Sequence, residues 1–141
     1  MTSPATRRPP HDHPLVGAWE LVSFEVHGED GRTAHPLGPE PAGLGIYTGK
    51  GLVSAQLMAD RRVPAVPAQG PVGRGYLAYT GRYVVDTGAR TVEHHVECSL
   101  EPTWVGTVLH RTYELDGDLL TLRPFEHAAL RPVLIWRRRE H

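Results

Sequence analysis

Tyrosine and histidine carry most of the chemistry open to this chain, and they recur at strand-like spacing. Tyr79 and Tyr83 share one parity of the run Leu77 to Val85, His94 lies on the apolar parity of Thr91 to Leu100, and Tyr113 alternates with Leu109, Arg111 and Leu115 in Gly106 to Leu115. Alternate residues of an extended strand point to one face, so these groups can share an interior. Phenols and an imidazole on an apolar wall orient a small molecule and polarise a carbonyl, and the imidazole can also act as an acid or a base. Tyr79, His94 and Tyr113 are therefore the candidate catalytic residues, and Tyr47, Met58, Tyr83, Trp104 and Trp136 the candidate ligand-contacting ones. Each has a plainer role as well. A buried Tyr commonly fills a core with its ring and leaves its hydroxyl at the rim, and Trp104, just after Pro102, can be a lid or an outer staple. Trp136 and Arg137 have opposite parity, so one faces in and the other out, in an order the pattern leaves open.

Other constellations fall short of a site. His95 and Glu97 share a face and His110 on the next strand could join them, but a metal needs a complete first shell. The doublet His94-His95 splits across the sheet, so no metal is expected. His11, His13, His35, His127 and His141 lie in loops or tails and read as solvated. Cys98 shares a face with His94, yet four residues of strand separate them by about 13 Å. Cys98 reads instead as a small buried hydrophobe. There is no serine nucleophile elbow, no phosphate-cradling glycine loop and no dinucleotide fingerprint, so no cofactor is expected.

The elements that must position these residues are short strands. Apolar runs separated by Gly, Pro and Asp predict strands at Ala18 to Val26, Gly43 to Tyr47, Leu52 to Met58, Leu77 to Val85, Thr91 to Leu100, Gly106 to Leu115, Leu119 to Pro124 and Arg131 to Arg138. Thr48-Gly49-Lys50-Gly51, Asp86-Thr87-Gly88-Ala89 and Asp116-Gly117-Asp118 have hairpin chemistry, which makes their flanking strands antiparallel. Eight strands are about the number at which a closed barrel holds one small ligand. Closure requires the first strand to pair with the last. Gly17-Ala18-Trp19 at one end and Val133-Leu134-Ile135-Trp136-Arg137-Arg138 at the other suit that seam, with a Trp under an Arg stem as plug. The expected fold is all-β, an eight-stranded antiparallel up-and-down β-barrel.

Composition bounds the rest. With 141 residues the chain fits one domain, and its net charge of −1 offers no field for nucleic acid or an anionic membrane surface. One cysteine excludes an internal disulfide framework, and no stretch has the length of an apolar membrane span. Residues 1–14 read as a disordered Pro-rich tail without a signal-peptide apolar region, residues 15–141 as the domain, and the cytoplasm as the location. The connections His27 to Ala42 and Ala59 to Gly75 exceed hairpin length, and such loops often act as lids.

Leu15-Val16-Gly17-Ala18-Trp19-Glu20-Leu21-Val22-Ser23-Phe24, Tyr47-Thr48, Tyr79-Thr80-Gly81-Arg82-Tyr83, His94-His95-Val96-Glu97-Cys98-Ser99-Leu100, Pro102-Thr103-Trp104-Val105-Gly106, Glu114-Leu115-Asp116-Gly117-Asp118 and Trp136-Arg137 together resemble the lipocalin-like domain family. The resemblance covers almost everything from Leu15 onward. It implies an up-and-down barrel with a lumen for a small, mostly apolar metabolite. Barrels of similar shape also serve as cofactor-free cyclases in natural-product biosynthesis, including cycloaddition catalysts, an analogy at the level of fold. The favoured expectation is thus a cofactor-free cyclase or isomerase that holds its substrate in a reactive shape, because the Pro-rich loops suit closing a mouth; the alternative is a carrier that sequesters the same kind of molecule unchanged. Val22, Val53 and Val108, expected on outer faces, suggest a homodimer patch.

Overall fold

Alternation of apolar and polar residues builds nine strands among the residues that the computed structural model describes, 13–60, 75–124 and 130–139. They are β1 (Gly17–Gly28), β2 (Thr33–Ala34), β3 (Ala42–Tyr47), β4 (Leu52–Met58), β5 (Tyr76–Asp86), β6 (Thr91–Ser99), β7 (Val108–Asp116), β8 (Leu119–Pro124) and β9 (Leu130–Arg138). Eight of them coincide with the expected strands, and β2 is a two-residue addition paired with Val26 and His27. From β3 to β9 each strand pairs antiparallel with the next. β1 pairs with β3 on one side and with β9 on the other, Trp19 opposite Arg138 and Phe24 opposite Leu134. The eight long strands therefore close into an up-and-down barrel that has no free edge to recruit another chain.

Register decides which parity faces the lumen, because a shift of one residue turns every side chain to the other face. On β4 the inward set is Val53, Ala55 and Leu57, all buried and opposite Gly81, Tyr79 and Leu77. That set corrects two expectations: Val53 points in, and Met58 lies on the outward parity opposite the exposed Tyr76. β6 is interrupted by a bulge that pairs Thr80 with Cys98 but Gly81 with Val96. A Cβ at position 81 would collide with the His95 carbonyl oxygen, so glycine permits this close approach. Val92, His94 and Val96 face in ahead of the bulge, while Cys98 and Leu100 are exposed after it. Cys98 is therefore not the buried hydrophobe that simple alternation predicts.

One end of the barrel is closed by residues 13–16. Leu15 and Trp19 are fully buried, and the Trp19 Nε1–H donates to the Leu15 carbonyl at 2.9 Å. The Arg138 guanidinium stands 4.2 Å from the Trp19 ring and donates to the carbonyls of Val16 and Pro14 at 3.0 and 2.5 Å. The plug expected at the seam is thus built by Arg138. His13 belongs to this closure and is not a solvated tail residue. Its Nδ1 accepts from the Leu15 N–H at 3.0 Å, which leaves Nε2–H to donate to the Tyr113 hydroxyl at 3.3 Å. Residues 1–12 of the expected tail, with His11, lie outside the described residues, as do His127 and His141.

At the other end the loop between β2 and β3 folds over the lumen. Leu37 is fully buried, its carbonyl accepts from the Asp60 N–H at 2.8 Å, and the Asp60 carboxylate accepts from the Glu40 N–H at 3.2 Å. The second expected lid falls largely on residues 61–74, which lie outside the described residues. No helix among the described residues is long and apolar enough to cross a membrane.

Candidate functional site

The lumen holds a cavity of about 510 Å³, within the usual range for small-molecule sites. Aliphatic and aromatic side chains such as Phe24, Leu57, Leu77, Leu109, Leu122 and Leu134 form most of its wall, and Pro36 and Pro132 line it as well. Among the described residues its polar side chains are Tyr47, Tyr79, His94, Arg111 and the indoles of Trp19, Trp104 and Trp136.

β3, β5 and β6 bring three of these groups together. His94 is 3% exposed; its Nε2 lies 2.7 Å from the Tyr47 hydroxyl and its Nδ1 lies 2.7 Å from the Tyr79 hydroxyl. Burial first, then the charges of Arg111 and His95, depress the imidazole to about 3, so it is neutral at neutral pH. A neutral imidazole has one N–H and one bare nitrogen. One phenol therefore donates to the bare nitrogen, and the other accepts the ring N–H and keeps its own hydrogen. The chain Tyr47–His94–Tyr79 ends with one O–H that no described residue accepts. Burial raises Tyr79 to about 12 and Tyr47 well above its ordinary value, with Arg111 opposing both shifts. None of the three titrates near neutrality, where general acid–base catalysis is most effective. What the chain offers there is a fixed set of hydrogen bonds.

The remaining candidates separate into wall and scaffold. Trp104 flanks Tyr79, ring centroids 6.0 Å apart, and lines the cavity. Trp136 turns inward, so Arg137 turns out, and its six-membered ring lies where a Cβ on residue 45 would stand 3.3 Å away, a space that Gly45 keeps open. The Trp136 Nε1 is buried without an acceptor among the described residues. Tyr83 does not line the cavity. Its hydroxyl donates to the Thr48 carbonyl at 2.7 Å, and its ring packs edge-on against Tyr47 at 4.8 Å, which holds Tyr47 in place. Tyr113, expected in a catalytic role, is not among the residues that line the cavity: its hydroxyl meets His13 Nε2 at 3.3 Å and its ring stands edge-on to the His13 ring at the barrel closure. Met58 points away, as its strand parity requires.

Arg111 was not singled out by residue pattern alone, although its parity with Leu109 and Tyr113 was the available signal: a charge in an otherwise inward-facing set. On the outer surface, His95 and His110 meet at Glu93, at 3.1 and 3.6 Å, whereas Glu97 pairs with Arg82 at 3.0 Å. His95 and Glu97 therefore have different partners. Among the described residues no three His, Cys, Asp or Glu side chains converge as a metal site.

A lipocalin-like domain model matches residues 16–139 of the chain. The chain is 37% identical over 76 residues to the 4'-hydroxy-3'-methoxypropiophenone carrier protein ppsC of Aspergillus oryzae, a match that covers 46% of this chain and 68% of that protein. Two solved structures are similar in shape: a redesigned β-barrel at 12% identity and TM-score 0.47, covering 89% of this chain and 92% of that one, and a de novo designed fluorescence-activating β-barrel at 13% identity and TM-score 0.46, covering 88% and 93%.

Proposed function

Since the chain belongs to the lipocalin-like domain family, we propose that its barrel is a carrier for a small, largely apolar metabolite with a polar oxygen at one end, of the aryl ketone kind. The observation that carries this reading is an apolar cavity of about 510 Å³ whose internal hydrogen-bonded chain stays uncharged at neutral pH. Apolar walls favour transfer of the ligand body from water by roughly 25 cal/mol per Å² buried. The spare O–H of the Tyr47–His94–Tyr79 chain orients a carbonyl. The relative from Aspergillus oryzae, named as a carrier of an aryl ketone, is consistent with this chemistry and with a place in a natural-product route.

A second reading is favoured by the same preorganised donors in an apolar cavity. A cofactor-free cyclase needs a substrate held near its reactive geometry and a carbonyl polarised by hydrogen bonds. The test uses 4'-hydroxy-3'-methoxypropiophenone as probe, with tryptophan fluorescence as readout because Trp19, Trp104 and Trp136 all line the cavity. Saturable quenching that is lost when Ala55→Trp fills the lumen, with the probe recovered unchanged, supports the carrier. No saturable binding by the wild type overturns it. Conversion of the probe by the wild type, with turnover falling more than affinity in Tyr79→Phe, favours the cyclase.

A further inference from the structure

Arg111 places a positive charge in an apolar wall. It stands on β7 opposite Val92, and Leu109 on the same inward face stands opposite His94, so Arg111 is the diagonal neighbour of His94. Diagonal neighbours lie about 7–8 Å apart at their backbones, within reach of a long side chain. Arg111 is half-buried: its Nη1–H donates to the adjacent His110 carbonyl at 3.1 Å in a solvent-exposed bond, and no carboxylate among the described residues pairs with it. A guanidinium has five N–H donors and no acceptor. A cation without a counter-charge attracts an anion, and the cavity that Arg111 lines has room for one. Tyr47, Tyr79 and Arg111 line the same cavity, and no Asp or Glu is among its described lining residues.

We infer that the cavity takes its ligand as an oxyanion, an enolate, phenolate or carboxylate, seated between Arg111 and the Tyr47–His94–Tyr79 chain. The inference rests on reading the barrel as a small-molecule binder and adds the charge of what it binds. The field of Arg111 already reaches this point, where it opposes the effect of burial on the phenols of Tyr47 and Tyr79. An acidic hydroxyl of a ligand beside those phenols feels the same field.

The probes are 4'-hydroxypropiophenone, its non-ionisable twin 4'-methoxypropiophenone, and 3-phenylpropanoate, with circular dichroism to verify that Arg111→Met and Arg111→Lys fold. Phenolate absorbance across a pH series gives the ionisation of the bound hydroxyl probe. In the wild type it ionises at least one pH unit lower than in water, so the phenolate binds at least tenfold more tightly than the phenol. Arg111→Met abolishes that shift and Arg111→Lys keeps most of it, while the methoxy twin binds all three proteins alike. The ranking of 3-phenylpropanoate against the phenolate separates a carboxylate ligand from an enolate or phenolate one. Ionisation at or above the free value in the wild type, or the same shift in Arg111→Met, overturns the inference while binding of the methoxy twin leaves the binder reading intact. Failure of all probes to bind overturns both.

Discussion

Two regions of this barrel set a half-buried arginine beside aromatic side chains, and they differ in how their donors are satisfied. At the closed end Trp19 Nε1–H reaches the Leu15 carbonyl, and Arg138 divides its N–H groups between the Val16 and Pro14 carbonyls while lying over the Trp19 indole. In the lumen the Tyr47–His94–Tyr79 chain retains one hydrogen, and Arg111 has a single backbone acceptor. A satisfied cluster stabilises a fold, because each buried donor offsets its own desolvation. A cluster with donors left over carries a cost until something enters to accept them. Similar residue types thus serve structure at one end and recognition in the middle.

The largest effect expected from breaking this contrast is at the closure. Trp19→Ala should lower unfolding stability by about 3–5 kcal/mol, read as a shift of the urea midpoint at constant slope; an unchanged midpoint would mean that the closure is not structural. Acid gives the next effect. His94 binds its proton at about 3 when folded and near 6.5 when unfolded, so the unfolded state gains protons first as pH falls below 6.5. Stability should decline from there towards pH 3 with a slope approaching about 1.4 kcal/mol per pH unit, and His94→Phe should flatten that stretch of the curve. An equally steep curve in the variant would assign the loss to other groups.

Smaller effects sharpen the lumen side. Tyr79→Phe removes one partner of His94 and should weaken binding of a ketone probe by about tenfold, at a stability cost of about 1–3 kcal/mol for the ring nitrogen left without its partner. Calorimetry of the probe and urea unfolding separate the two; unaltered affinity would detach the tyrosine–histidine chain from recognition. Smallest of all is Arg82→Ala on the outer wall. Its pair with Glu97, both side chains more than half exposed, should contribute no more than about 1 kcal/mol, and affinity should not change.

Much of the barrel was legible in residue order. Trp19 near one terminus and Arg138 near the other mark strands that only closure can bring together, and they pair directly. Tyr47, Tyr79 and His94 were readable as wall residues because apolar alternation surrounds them, whereas Trp104 in its turn and Trp136 beside Arg137 had two possible directions until the fold was known. Cys98 was misplaced because the bulge at Gly81 lies in the pairing of two strands, and a period of two within β6 contains no trace of it. Met58 and Val53 were exchanged between faces for a related reason: alternation gives two faces without saying which is inside. His13 was read as solvated because its partner, Tyr113, is a hundred residues away.

Amino-acid order alone determined that this chain alternates, turns and closes, because those properties depend on neighbours along a strand and on the two ends of the sheet. Tertiary structure decided the rest. Which ring nitrogen of His94 meets which phenol, and whether Arg111 finds a counter-charge, depend on side chains that meet across the lumen from separate strands. Hydrogen bonds and charges act through space over a few ångströms, and only the closed, bulged sheet sets those distances.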